Sequence, residues 1–124
     1  MMSLLVWKAY ARLMQFDFYL RKGNFQLLYR KVRDCALQHR SSAIGIEQVC
    51  RAVDLAAIWY PKRVLCLQRS AVIVCLLRFQ GFPAQLVLGA QKLPFKAHAW
   101  VEVQGRVVGD RTYVPDIYAV LDRC

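Results

Sequence analysis

Cys66, His98 and Asp110 are the side chains of this chain whose types and order suit covalent chemistry. Cys66 opens an apolar run, C-L-Q-R-S-A-V-I-V-C-L-L-R-F, that reads as a buried helix. His98 sits in A-H-A-W-V-E-V, which alternates like a strand, and Asp110 follows a G-R-V-V-G turn and strand. A thiol attacks a carbonyl carbon as its thiolate. The open N–H groups and dipole of a helix start favour that negative charge, and an adjacent imidazole favours it further as a thiolate–imidazolium pair. Antiparallel pairing can return Asp110 to the side of His98, where a carboxylate holds one tautomer of the imidazole and stabilises its charged form. Together the three groups describe acyl transfer through a thioester, the chemistry of a cysteine peptidase.

Other residues compete for parts of this site. Asp116 is a second carboxylate, but it follows Pro115 in an expected loop. On an alternating strand His98, Trp100 and Glu102 share a face, so Trp100 is placed to wall the imidazole from water while Glu102 reads as a surface or edge charge. His39, in Q-H-R-S-S, reads as a solvated loop residue. The backbone N–H of Cys66 is one donor for a tetrahedral oxyanion; no second donor is assigned. Gln68 and Arg69, in the first helical turn, read as positioning or surface residues.

The elements that must carry these groups divide into a helical front and a mixed back half. A first helix is expected over residues 3–16, with Val6, Tyr10, Leu13 and Met14 on one side, and Gly23-Asn24 breaks the pattern. Phe25, Leu28, Tyr29, Val32, Cys35 and Ala36 repeat at helical spacing opposite a cationic face. Ser41-Ser42 with Glu47 downstream marks another helix start, and Ile46, Val49, Val53, Ala56 and Tyr60 form a stripe that Pro61 stops. From Ala71 to Leu77 the chain is apolar without interruption, so the Cys66 helix belongs in the middle of the fold, and Gly81-Phe82-Pro83 ends it. Strands are expected over 84–88, 97–103 and 106–108, the last two joined by a Gln104-Gly105 hairpin turn. Helices followed by an antiparallel sheet indicate an α+β fold, read as one domain over 1–124 with a helical part (1–43) and a catalytic core (44–124).

Composition narrows the alternatives. Cys35, Cys50, Cys66, Cys75 and Cys124 are odd in number and without C-x-x-C spacing, which argues against a disulfide framework and a zinc site. Cys35, Cys50 and Cys75 fall in apolar stripes and read as small buried hydrophobes, while Cys124 ends the chain. The net charge of +10 suits nucleic acid, an anionic membrane surface or an acidic protein partner alike, but the cations are dispersed, no nucleic-acid module is present, and charge alone discriminates weakly among these. No apolar run reaches the roughly 18–20 residues that span a bilayer. The N-terminus reads as an amphipathic helix and not a signal peptide, so the cytoplasm is the expected compartment, with membrane contact through that helix left open.

The segment C-L-Q-R-S-A-V-I-V-C-L-L-R-F-Q-G-F-P-A-Q-L-V-L-G-A, followed by P-F-K-A-H-A-W-V-E-V-Q-G-R-V-V-G-D, resembles the transglutaminase-like leader peptidases of lasso peptide biosynthesis, in their stand-alone form. The resemblance runs from about Ile44 to Asp110, and the first 40 residues share it only loosely. It implies a papain/transglutaminase-like fold and a Cys-His-Asp triad at Cys66, His98 and Asp110, without metal or cofactor. It also implies cleavage of the leader from a ribosomally made precursor peptide, a separate leader-recognition protein, and a separate cyclase that closes the freed core. Two further readings stay open: acyl transfer to an amine, and a catalytically silent basic scaffold that binds an acidic partner.

Overall fold

Four helices precede the first strand in the computed structural model, which describes residues 2–39 and 43–124. They are α1 (Met2–Arg21), α2 (Phe25–Asp34), α3 (Ile46–Trp59) and α4 (Cys66–Phe79). Strands β1 (Ala84–Gln91), β2 (Lys96–Val103) and β3 (Arg106–Val108) follow, then a single-turn helix α5 (Val114–Ile117) and strand β4 (Ala119–Arg123). The sheet is antiparallel with order β3-β2-β1-β4. The β2–β3 turn uses Gln104 and Gly105 at φ 51° and 81°, the two left-handed positions that match the twist of a two-residue hairpin.

Helix α4 is the centre of the molecule. Every residue from Ala71 to Leu77 is buried, against α1 and α3 on one side and β1 and β2 on the other. Leu86, Ala99, Val101 and Val103 face this helical layer, and Val87 and Trp100 face the opposite way, beneath Val114 and Tyr118. The alternation read for β2 is therefore buried on both sides. Gln48 caps α3 by accepting the Gly45 N–H through its side chain at 2.7 Å. The Ser41-Ser42 start signal lies outside the described residues.

Several expectations need correction. The first helix runs on to Arg21, because Asp17 turns inward, accepts the Tyr60 hydroxyl at 2.6 Å and pairs with Lys62 at 2.9 Å. The stripe of α2 ends at its C-cap, Cys35, leaving Ala36 exposed. Cys35 is not an isolated buried thiol: it is joined as a disulfide to Cys75 in α4, with Cα atoms 5.4 Å apart. The sequence reading missed α5 and β4 and ended β1 three residues early.

Candidate active site

Cys66 is the first residue of α4, following an extended N-cap at Leu65. The Gln68 side chain fixes this turn. Its carbonyl accepts the Leu65 N–H at 3.3 Å and its amide donates to the Leu13 carbonyl of α1 at 2.8 Å, with only 1% of the residue exposed. Gln68 is thus a buried positioning residue, one of the two roles its sequence context left open. The Cys66 thiol is exposed, whereas Cys50 is buried and Cys124 half-buried. Burial pushes the Cys50 thiol up, and it does the same to Cys124.

His98 and Asp110 meet directly. His98 Nε2 lies 2.7 Å from Asp110 Oδ2, and Asp110 Oδ1 accepts the Arg111 N–H, also at 2.7 Å. An ionised Asp110 requires the imidazole proton on Nε2, which leaves Nδ1 as the accepting nitrogen. Asp110 lies two residues past the end of β3. The turn depends on Gly109, at φ +70°, where a Cβ would lie 3.0 Å from Cys50 Sγ. Asp116 sits in α5, and Asp110 takes the imidazole instead. His39 is exposed beyond α2.

The imidazole is one corner of a three-ring cluster, in which the Trp100 and Tyr118 rings are themselves centred 6.3 Å apart. The Trp100 ring is centred 6.0 Å from the imidazole at 23°, and the Tyr118 ring 5.2 Å from it at 30°. Trp100 donates its indole N–H to Glu102 Oε2 at 2.9 Å, and Arg123 approaches Glu102 Oε1 at 3.5 Å. Glu102 is therefore not a surface charge. It is 5% exposed and holds the tryptophan that backs the imidazole. Tyr118 was not anticipated, since only the unread α5–β4 segment brings it here.

Cys66, Arg69 and Ser70, at i, i+3 and i+4, share one face of α4. Ser70 Oγ donates to the Ala99 carbonyl, next to His98, at 3.1 Å. Arg69 pairs with Asp54 of α3 through two contacts at 2.7 and 3.2 Å, and its guanidinium also borders Gly109. Burial lowers the Arg69 pKa, but Asp54, with smaller contributions from Cys50 and Asp110, outweighs it and leaves the group above its ordinary value. Ser70 thus ties the Cys66 face to β2 beside His98, and Arg69, bonded to α3, lies against the Gly109 turn before Asp110. No hydrogen bond joins the Cys66 thiol to the imidazole among the described residues. A groove of about 1050 Å³ between α3 and the β2–β3 hairpin, walled by Leu55, Ile58, Val107 and Val108, ends at Asp110. Among the described residues no His, Cys, Asp or Glu cluster is arranged for a metal, and no helix is long and apolar enough to cross a membrane.

Comparison with known proteins places this chain in a family. Residues 12–123 match the model of the transglutaminase-like superfamily. The microcin J25-processing protein McjB of Escherichia coli is 36% identical over 56 residues, which are 45% of this chain and 27% of McjB. The chain thus spans about a quarter of the length of that relative. No solved structure matches. A helix-borne cysteine and a strand-borne histidine held by an aspartate, in an α+β domain matched over nearly its whole length, make this chain a member of the transglutaminase-like superfamily.

Proposed function

We propose that the chain is a cysteine peptidase that cuts the leader from a ribosomally synthesised lasso peptide precursor. The observation that carries this reading is the 2.7 Å His98–Asp110 hydrogen bond, with an exposed Cys66 at the start of the helix whose Arg69 and Ser70 reach the neighbours of that pair, Gly109 and Ala99. Similarity to a microcin J25-processing protein supports the substrate class. In this mechanism His98 Nδ1 takes the Cys66 proton while Asp110 holds Nε2–H and stabilises the imidazolium. The thiolate adds to the scissile carbonyl, and the resulting oxyanion draws on the Cys66 backbone N–H, open at the first helical position. The imidazolium then protonates the leaving core amine, and His98 activates water to hydrolyse the thioester. The contact between Cys66 and Nδ1 closes when substrate seats, since catalytic hydrogen bonds are often long without it. A separate recognition protein delivers the leader, and a separate cyclase takes the released core.

The test is mass spectrometry of a lasso-type precursor incubated with this protein and a leader-binding partner. The expected result is one cut at the leader–core junction, absent with Cys66→Ala although that variant still binds precursor. Turnover by Cys66→Ala near the wild-type rate removes Cys66 as nucleophile. A cross-linked product in place of free leader and core assigns acyl transfer to an amine instead.

A further inference from the structure

The fold uses one side of α1 and leaves a second apolar side in water. Leu5, Ala9, Leu13 and Phe16 face inward and are buried. Leu4, Trp7, Ala11, Met14 and Phe18 face outward, with Trp7 72% and Met14 54% exposed. Their spacing is three, four, three and four residues, the a/d pattern of a coiled-coil seam. At about 100° per residue the five span an arc of about 80°, narrower than the apolar side of an ordinary surface helix. We propose that this seam docks one amphipathic helix of an acidic partner protein.

Charge selects that occupant. Lys8 and Arg12 lie along one border of the seam, Lys22 and Arg21 close its C-terminal end, with Arg21 3.9 Å from Asp17, and the Lys22 ammonium lies 5.5 Å from the Phe18 ring centroid. Asp17, the carboxylate of α1, is buried and engaged by Tyr60 and Lys62. One border of the outward side of α1 is therefore cationic, while the other carries Ser3 and Tyr10, and no carboxylate of α1 is free to offset those cations. A second copy would bring the same cations from a chain of net charge +10, so self-pairing is opposed. A partner helix with leucines at a and d and glutamates at e and g meets both requirements, as those positions set partner choice in coiled coils. The inference does not depend on the assignment of Cys66 as nucleophile, and its test reads binding alone.

The probe is a synthetic three-heptad peptide with leucine at a and d and glutamate at e and g, labelled with fluorescein and titrated with the full chain by anisotropy. A scrambled peptide of the same composition is the control. Saturable binding of the heptad peptide is expected, weakened about tenfold or more by Trp7→Glu and by Met14→Glu, the scale of loss at an interface anchor. The scrambled peptide should bind at least tenfold more weakly, and Leu93→Glu, at an exposed apolar residue of the β1–β2 connection, should leave binding unchanged. The neutral variant Met14→Gln separates lost packing from added charge, and circular dichroism melting confirms that each variant is folded. Equal binding of both peptides, or none, overturns the proposal. Binding to phosphatidylglycerol vesicles but not to the heptad peptide overturns it in favour of a membrane surface. A dimer in sedimentation equilibrium that Met14→Glu dissociates overturns it in favour of a second copy.

Discussion

Replacing Asp110 with asparagine tests how the imidazole is held. The carboxylate accepts two hydrogen bonds, from His98 on Oδ2 and from the Arg111 N–H on Oδ1, both at 2.7 Å. An amide has one oxygen for these two donors. If the oxygen stays with Arg111, the amide NH₂ points at Nε2 and drives the ring proton to Nδ1, the nitrogen assigned to receive the Cys66 proton. If the amide turns over, its NH₂ faces the Arg111 N–H, donor against donor. Either way a charge-assisted hydrogen bond is lost, an effect of about 1.5–3 kcal/mol. The two side chains are each about a quarter exposed, which favours the lower part of that range, so a loss of about 2 kcal/mol, or about 30-fold in the chemical step, is expected. Alanine frees the ring without inverting its tautomer, so Asp110→Asn should be at least as impaired as Asp110→Ala. Single-turnover cleavage of the precursor, followed by mass spectrometry, measures both rates, and matched melting temperatures exclude unfolding. An Asp110→Asn rate within about threefold of wild type would refute the argument, as one lost charge-assisted bond predicts a larger drop.

The structure supports three more predictions. Iodoacetamide should alkylate the exposed Cys66 before Cys50 or Cys124, whose thiols burial pushes up; peptide mapping showing faster labelling of Cys50 would contradict the site geometry. Gly89→Ala should destabilise the fold by about 1–3 kcal/mol, because its Cβ would stand 2.7 Å from Trp100 Cη2 and 3.0 Å from the Ala119 carbonyl; an unchanged melting temperature would show that β1 and β4 separate freely. At Asp17 burial pushes the carboxyl up, but the Tyr60 hydroxyl and Lys62 more than offset it and hold it below the ordinary 3.8. A depressed carboxyl contributes stability above its unfolded value and loses it as pH falls through the folded one, so the excess stability of wild type over Asp17→Asn should be full at neutral pH and shrink below about pH 3.8; a pH-independent difference would remove the ion pair as its source.

What was legible in the sequence is what local pattern controls. The uninterrupted apolar run of α4 announces a central helix, and Gln104-Gly105 between alternating segments announces the hairpin, because each signal lies within one element. The features that were missed are set across elements. All five residues of β4 are exposed, and the segment becomes a strand only because the free edge of β1 accepts it. Cys35 and Cys75 lie 40 residues apart, each on an apolar stripe, and periodicity states that both are buried without stating that they meet. Glu102 reads as a surface charge from its neighbours, and its burial becomes tolerable only when the Trp100 indole and Arg123 reach its two oxygens. The candidate site lies on the same divide. Spacing is enough to bring Asp110 near His98, but the Gly109 turn against Cys50 and the Arg111 N–H aim one carboxylate oxygen at Nε2. That contact, made between elements, leaves Nδ1 as the nitrogen available to a thiol.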